Sequence, residues 1–208
     1  MSRPTLYVLA GVNGAGKSSL GGCLLTRAGL AWYDPDAYAR GIVRALGVTQ
    51  MQANGMAWQE GVRRLQNALA RGRSVAIETT LGGNTMVGRF VHASTTHDIL
   101  VWYCGLASIE KHLERIHARV DAGGHDIPAE KVRERWRRSV ENLIGLMPYL
   151  AHLRVYDNSR DAVGGRLAVE PALVLNVVQG EILYPCSAHE IARTPDWAKP
   201  IVEAAFER

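Results

Sequence analysis

A glycine-rich loop directly follows the first apolar stretch of the chain. Residues 5–10, Thr-Leu-Tyr-Val-Leu-Ala, predict a short buried strand. Residues 11–18, Gly-Val-Asn-Gly-Ala-Gly-Lys-Ser, then match the phosphate-binding pattern GxxxxGK(S/T) in full. Glycines let such a loop curl until its N–H groups point inward at phosphate oxygens, and the helix that follows adds the positive end of its dipole. The loop therefore predicts a nucleotide-binding site, with ATP as the expected cofactor, and a helix from Ser18 to Arg27.

The loop also supplies most of the predicted ligand contacts. We expect Lys17 to reach the β- and γ-phosphates and the Ser18 hydroxyl to bind Mg²⁺. The other positions expected to surround the phosphates are Gly11, Asn13, Gly14, Ala15, Gly16 and Ser19.

Beyond the loop, strand and helix patterns alternate. Further strands are predicted at 30–33, 74–77, 99–103 and 154–156, and further helices at 35–46, 51–70, 108–122 and 129–150. This alternation indicates βαβ units, and so an α/β, P-loop kinase-like fold with a parallel sheet of about five strands flanked by helices. One domain over residues 1–208 is expected, with its core at about 5–160. The extension at about 165–208 contains a predicted hairpin around Gln179-Gly180 that would cover the sheet edge.

Acidic residues follow two of the predicted strands. Since the carboxyl ends of parallel strands line the ligand crevice, Asp34, Asp36 and Glu78 are expected near the phosphates. Asp36 is the candidate general base that accepts a proton from an alcohol. Asp34 competes for that role, but it could instead cap the helix that Pro35 begins. Glu78 could hold Mg²⁺ through water or could bind substrate hydroxyls together with Thr79 and Thr80.

Two arginine-edged helices are predicted to form a lid over the triphosphate at about 108–150. On the first helix, His112, Arg115 and Arg119 lie on one flank of the apolar stripe. On the second helix, Arg135, Arg138 and Asn142 lie on one flank. Gly123-Gly124 would be the hinge between them. Arginine stabilises the charge that develops on a transferring phosphoryl group.

Composition excludes several classes of protein. The three cysteines lack metal-site spacing and fit a reducing compartment, and no apolar run is long enough to span a membrane, so a cytoplasmic protein is expected. A net charge of +4 without a lysine-rich patch makes nucleic acid an unlikely partner.

Together these segments resemble the zeta toxin family of P-loop kinases, in particular its compact chromosomal members. The resemblance spans about residues 5–160. It rests on the loop at 11–19, on Asp34-Pro-Asp36, on Ile-Glu-Thr-Thr-Leu-Gly at 77–82, and on Arg-Val-Asp-Ala-Gly-Gly-His-Asp-Ile-Pro at 119–128. The segments at 133–136 and 155–159 complete it.

The resemblance implies a kinase that phosphorylates a sugar hydroxyl, with UDP-N-acetylglucosamine as the family substrate and an antitoxin protein as a candidate partner. It implies that Asp36 is the base and Glu78 the acid on the substrate side. Arg119 and Arg135 would be the two phosphate-clamping arginines, although Arg133 and Arg138 are close enough in sequence to replace the second.

Two other functions remain open on the sequence. One is a kinase that acts on a nucleic-acid end. The other is a nucleotide-dependent switch without transfer activity, which would need Lys17 and Ser18 but no base at Asp36.

Overall fold

The computed structural model describes residues 3–27, 31–161 and 170–208. In these ranges six strands form a single sheet with the order β2-β1-β3-β4-β5-β6. The strands are β1 Thr5–Ala10, β2 Val75–Thr79, β3 Asp98–Gly105, β4 His152–Asp157, β5 Ala172–Val178 and β6 Glu181–Tyr184.

Helices of the described residues connect and flank these strands. They are α1 Lys17–Arg27, α2 Pro35–Leu46, α3 Gln50–Ala70, α4 Asn84–Ala93, α5 Ile109–Asp121, α6 Ala129–Leu146, α7 Ala188–Ala192 and α8 Lys199–Phe206. None of the helices described is both long and apolar enough to cross a membrane.

The first four strands are parallel and follow the predicted βαβ pattern. β1 lies between β2 and β3, and β4 pairs with the outer side of β3. The carboxyl ends of these strands therefore meet at one edge of the sheet, where the glycine-rich loop follows β1, Glu78 is the penultimate residue of β2, and Asn158 follows β4. The predicted α/β, P-loop kinase-like fold is confirmed, with six strands in place of about five.

The predicted strand at 30–33 is wrong as a full strand. Residue 30 lies outside the described residues, and of the rest only Tyr33 forms a bridge, in parallel with Ile77. The chain leaves the sheet there because Asp34 caps α2 and Pro35 occupies its first turn. The carboxylate of Asp34 accepts hydrogen bonds from the backbone N–H groups of Asp36 and Ala37.

The predicted hairpin near the end of the chain enlarges the sheet. β5 runs antiparallel to β4, and β6 runs antiparallel to β5, so the tail extends the parallel sheet at its edge. Gln179 and Gly180 connect the two strands with φ values of 51° and 84°, as a two-residue hairpin turn requires. Residues 165–169 of the predicted extension lie outside the described part of the chain.

The segment after the hairpin returns to the core. Trp197 is buried, its ring packs directly on Gly105 at the end of β3, and its ring centroid lies 6.2 Å from that of Tyr103. Its indole N–H donates a 3.1 Å hydrogen bond to the carboxylate of Asp157, the last residue of β4. The tail thus supports the two strand ends that stand behind the glycine-rich loop.

Replacing this tryptophan should destabilise the whole fold. We expect Trp197→Ala to lower the free energy of unfolding by about 3–5 kcal/mol, because it leaves a large cavity in the core. Urea unfolding followed by circular dichroism measures this loss. Phe206→Ala, at a half-exposed position of α8, is the control and should cost far less. Equal losses for the two variants would show that Trp197 does not anchor the tail.

Candidate active site

The glycine-rich loop at residues 11–16 is held against the ends of β3 and β4. A Cβ atom at Gly11, where φ is 136°, would collide with the carbonyl oxygen of Cys104. At Gly16, where φ is 87°, a Cβ would collide with the side-chain amide of Asn158. Glycine is required at both positions, because they combine a left-handed backbone with a close approach to another segment.

Three side chains outside the loop hold its backbone carbonyls. The Asn158 amide donates to the carbonyl of Ala15 at 2.9 Å, and the buried Cys104 thiol donates to the same oxygen at 3.0 Å. From α5, His112 Nδ1 hydrogen bonds with the carbonyl of Asn13 at 2.7 Å. Residues from three separate elements thus fix the shape of the loop.

These supporting roles were not predicted from the sequence. Asn158 was noted only as part of the 155–159 segment, and Cys104 only as a cysteine without metal-site spacing. His112 was expected on the polar flank of its helix, but it is buried, because its ring lies against the loop.

Lys17 and Glu78 form a buried ion pair where β1 and β2 end. Lys17 Nζ lies 3.4 Å from Glu78 Oε1, and both side chains are less than a tenth exposed. The Ser18 hydroxyl donates to the other carboxylate oxygen of Glu78, also at 3.4 Å. Burial raises the pKa of Glu78, and the charge of Lys17 opposes that rise.

The two aspartates of α2 have different surroundings. Asp34 uses its carboxylate as the helix cap described above, whereas Asp36 is about one-third exposed. The nearest cation to Asp36 is Arg119, whose Nη1 lies 4.0 Å from Asp36 Oδ2. Of the two acids, Asp36 has the freer carboxylate.

The predicted arginines separate into two groups. Arg115 and Arg119 of α5 face the loop, where Arg115 pairs with Asp161 and Arg119 donates to the carbonyl of His125. Arg135 of α6 donates to the side-chain oxygen of Asn13 at 2.8 Å.

The alternatives to Arg135 point away from the loop. Arg133 and Arg138 are exposed, and Arg138 pairs with Glu134 on its own helix. Arg135 is therefore the one of these three residues that the fold brings to the site.

The segment after Glu78 is a tightly held loop. Leu81 is fully buried with φ of 52°, a left-handed conformation that costs roughly 1–3 kcal/mol for such a residue. Asn142 and Ser139 of α6 offset this cost by donating hydrogen bonds to the carbonyls of Leu81 and Thr80. The hydroxyl oxygen of Thr79 accepts from the backbone N–H of Leu81, which leaves its own O–H available to a ligand.

Two cavities meet at this edge of the sheet. The first, which we name the P-loop cavity, has a volume of about 280 Å³. It is lined by the loop and by charged side chains from α2, β2 and α5: Asn13, Gly14, Gly16, Lys17, Ser18, Ser19, Asp34, Asp36, Arg40, Glu78, Arg115 and Arg119.

The second, which we name the adjacent cavity, has a volume of about 450 Å³. Thr79, Thr80 and Arg135 line this cavity, together with Trp58 of α3 and His125 of the α5–α6 connection. The walls of both cavities contain Asn13, Lys17, Asp36 and Glu78. These four residues therefore stand between two spaces that open into the same region.

Most of the predicted site residues line these cavities, and two do not. Gly11 and Ala15 belong to the loop but line neither cavity: Gly11 packs against Cys104, and Ala15 is fully buried. Arg40 and Trp58 were missed by the sequence analysis. For Arg40 a signal existed, since it lies four residues after Asp36 and so shares its helix face.

The oxygen atoms of the P-loop cavity suit a small divalent cation. The Ser18 hydroxyl and the carboxylate of Glu78 lie side by side, and hard oxygen ligands are the ones that Mg²⁺ prefers. In the part of the chain described, no three His, Cys, Asp or Glu side chains are grouped to hold a metal alone. Mg²⁺ at phosphate sites commonly uses only one or two protein ligands beside phosphate oxygens.

Comparison with known families decides where the chain belongs. A family model described as an AAA domain matches residues 6–143, which include the loop, Asp34, Asp36, Glu78 and most of α6. The chain belongs to this AAA domain family. None of the curated proteins matches it.

Solved structures show that this AAA domain shares its fold with proteins of very different sequence. A chain of the AvrRxo1-ORF1:-ORF2 complex with ATP superposes with a TM-score of 0.66 at 14% identity, covering 98% of this chain and 64% of that one. A chain of the PezAT chromosomal toxin–antitoxin system of Streptococcus pneumoniae gives a TM-score of 0.59 at 13% identity, covering 100% of this chain and 85% of that one. The AAA domain chain thus spans about two thirds of the length of the AvrRxo1 chain.

Burial of His112 should make the free energy of unfolding depend on pH. Burial lowers the pKa of His112 to about 4 from its ordinary value of 6.5. Because the unfolded chain then binds a proton more tightly than the folded protein, the free energy of unfolding should fall as the pH drops from about 6.5 to about 4. His112→Gln, which can still donate to Asn13, should lose less over this interval.

Urea unfolding at several pH values between 7 and 4 measures the effect. His117→Gln is the matched control, because His117 is exposed on the same helix, and this variant should keep the pH dependence of the unaltered protein. If His112→Gln and the unaltered protein lose stability in parallel, His112 is not the group responsible.

Proposed function

We propose that this protein is an ATP-dependent phosphotransferase that transfers the γ-phosphate of ATP to an alcohol group of a small molecule. The observation that carries the proposal is the shared wall of Asn13, Lys17, Asp36 and Glu78 between the two cavities. ATP phosphates in the P-loop cavity and an acceptor in the adjacent cavity would face each other there. Holding both reactants in contact removes much of the entropic barrier to transfer.

The P-loop cavity supplies the proposed donor site. Lys17 would bind β- and γ-phosphate oxygens, and the N–H groups of the loop and the start of α1 would bind the others. Arg119 would stabilise the negative charge on the transferring group. The ATP bound in the AvrRxo1 complex supports this assignment through the shared fold.

Mg²⁺ is the proposed cofactor, held by the Ser18 hydroxyl with Glu78 beside it. When bound together with ATP, the cation would neutralise charge on the phosphate oxygens.

Asp36 is the proposed base. Its carboxylate accepts the proton of the acceptor hydroxyl as the hydroxyl oxygen forms a bond to the γ-phosphorus. The bond between the γ-phosphorus and the oxygen that bridges to the β-phosphate breaks at the same time, and ADP leaves with the electron pair. The freer carboxylate of Asp36, compared with the capping carboxylate of Asp34, supports this choice.

The acceptor would bind against the loop that follows β2. Thr79, Thr80 and the carboxylate of Glu78 offer oxygen atoms to acceptor hydroxyls on one side of the adjacent cavity. Arg135, which is held by Asn13 at the shared wall, would contact the transferring phosphoryl group from the acceptor side.

The proposed acceptor is a sugar nucleotide such as UDP-N-acetylglucosamine, in keeping with a zeta toxin-type kinase. The resemblance of residues 5–160 to that family supports this class, as does the shared fold with a chain of the PezAT toxin–antitoxin system. An antitoxin protein is the proposed partner, and the two-protein AvrRxo1 complex is a further example of this fold with a protein partner.

Mass spectrometry of a sugar-nucleotide panel tests the reaction. The protein is incubated with ATP, Mg²⁺ and a set of UDP-sugars, and the expected product is a UDP-sugar heavier by one phosphoryl group. Lys17→Ala should abolish the product, since it removes the cation at the β- and γ-phosphates. Wild-type rates in Lys17→Ala would remove the loop from the mechanism, and a panel without any product would overturn the acceptor class.

The role of Asp36 is tested with a matched pair of aspartate variants. Asp36→Asn should lower kcat by roughly 10²- to 10⁴-fold while ATP binding persists, which is the usual effect of losing a general base. Asp34→Asn makes the same change of charge in the same cavity, but asparagine caps a helix as well as aspartate, so most of the turnover should remain. Equal losses in both variants would point to charge and away from proton acceptance.

A further inference from the structure

Four cationic side chains line the P-loop cavity, and three of them have protein partners. Lys17 pairs with Glu78, Arg115 with Asp161, and Arg119 donates to the carbonyl of His125. The fourth is Arg40 of α2, which also lines the cavity. Within residues 3–27, 31–161 and 170–208 the Arg40 guanidinium forms neither a hydrogen bond nor an ion pair.

The position of Arg40 on its helix directs it to the reacting region. It lies one turn after Asp36, and side chains four residues apart on a helix are neighbours. Between them, Ala39 is buried against α3, so that α2 is fixed in place on this side. Arg40 also stands near His125: burial lowers the pKa of His125, and the charges of Arg119 and Arg40 lower it further against the opposing charge of Asp36.

Helix electrostatics do not account for this arginine. Cations stabilise a helix through its dipole only in the last turn, and in α2 that position belongs to Arg44. Arg44 is exposed, and its Nε donates to the backbone carbonyl of Arg40. A cation to which the described residues give no partner, in the wall of a partly enclosed cavity, favours an anionic ligand in that cavity.

We infer that Arg40 binds the γ-phosphate of ATP from the α2 side, in addition to Arg119 of α5. This inference rests on the proposed function, since it needs ATP in the P-loop cavity. The γ-phosphate is the group concerned because Asp36, one turn away on the same helix face, is the proposed base for attack at the γ-phosphorus. A guanidinium in this place binds two phosphate oxygens through its planar pair of N–H groups, which lysine cannot do.

Calorimetric titration with ATP and with ADP tests the inference, in EDTA and without an acceptor. Arg40→Ala should weaken ATP binding by about 10- to 100-fold, as expected for the loss of a charge-assisted contact, and should leave ADP binding nearly unchanged. The ATP affinity of Arg40→Lys should lie between those of the unaltered protein and Arg40→Ala, because lysine keeps the charge but cannot make the paired contact. Arg44→Ala is the matched control, with the same change of charge one turn along the helix, and should bind both nucleotides as the unaltered protein does.

Titration results other than those expected would overturn either the assignment of Arg40 or the proposed function itself. If Arg40→Ala weakens ATP binding and ADP binding equally, the contact is to a phosphate other than the γ-phosphate. If Arg40→Ala and Arg44→Ala weaken binding equally, the effect comes from the net charge of the protein and not from a contact of Arg40. Either result overturns the assignment of Arg40 to the γ-phosphate. The proposed function still stands in both cases, provided that Lys17→Ala loses ATP binding. An unaltered protein that binds no ATP overturns the proposed function and this inference together. Thermal unfolding of each variant confirms that it is folded.

Discussion

The close packing of the glycine-rich loop on the carboxyl ends of β3 and β4 is the contact on which the site depends. Gly11 lies so close to the Cys104 carbonyl that no side chain fits between them, and Gly16 has the same relation to Asn158. Because the loop is pressed against the sheet on this side, its other side faces the cavity. Hydrogen bonds from Cys104 and His112, which are buried, and from Asn158, which is partly buried, satisfy carbonyl groups of the loop, so that its shape is set before any ligand binds.

A second packing relation connects the two cavities. Helix α6 holds the loop after Glu78 through Ser139 and Asn142, and it contacts the glycine-rich loop through Arg135. One helix therefore positions a wall of each cavity. The hydrophobic cluster of Val12, Ile116, Ile127 and Val132 joins the same helix to the glycine-rich loop and to the α5–α6 connection. The side chains at the shared wall are therefore held in fixed positions, since a side chain held by packing and hydrogen bonds keeps its geometry.

The charged side chains at the shared wall differ in how fully each is neutralised by a partner. Lys17 and Glu78 neutralise each other in a buried pair, and removal of either partner would leave the other charge buried and unpaired. Asp36, by contrast, stays partly exposed with its nearest cation at 4.0 Å. Burial and mutual attraction therefore hold the Lys17 and Glu78 side chains in place, whereas the carboxylate of Asp36 is accessible to an incoming group. This difference in surroundings separates two acids that the sequence places at equivalent strand ends.

The sequence by itself determined the loop, the alternation of strands and helices apart from the segment at 30–33, and the acids Asp36 and Glu78. These features are local: a glycine pattern after an apolar run, helix periodicity and capping residues each depend on neighbours along the chain. Asp36 and Glu78 were found because parallel strands end at one edge. Even the choice of Arg135 over Arg133 and Arg138 required the structure, since all three share one helix and only its rotation against the glycine-rich loop distinguishes them.

Only the tertiary structure decided the features that join distant parts of the chain. Asn158 and His112 reach the loop from about 100 to 140 residues away, and no periodicity marks such a contact. The strand expected at 30–33 shrank to a single bridge because the cap at Asp34 takes the chain into α2. No pattern in the sequence around Trp197 predicts that its ring would pack against Gly105. Packing of this kind depends on the shapes of two surfaces that meet only after folding, and a linear pattern does not contain it.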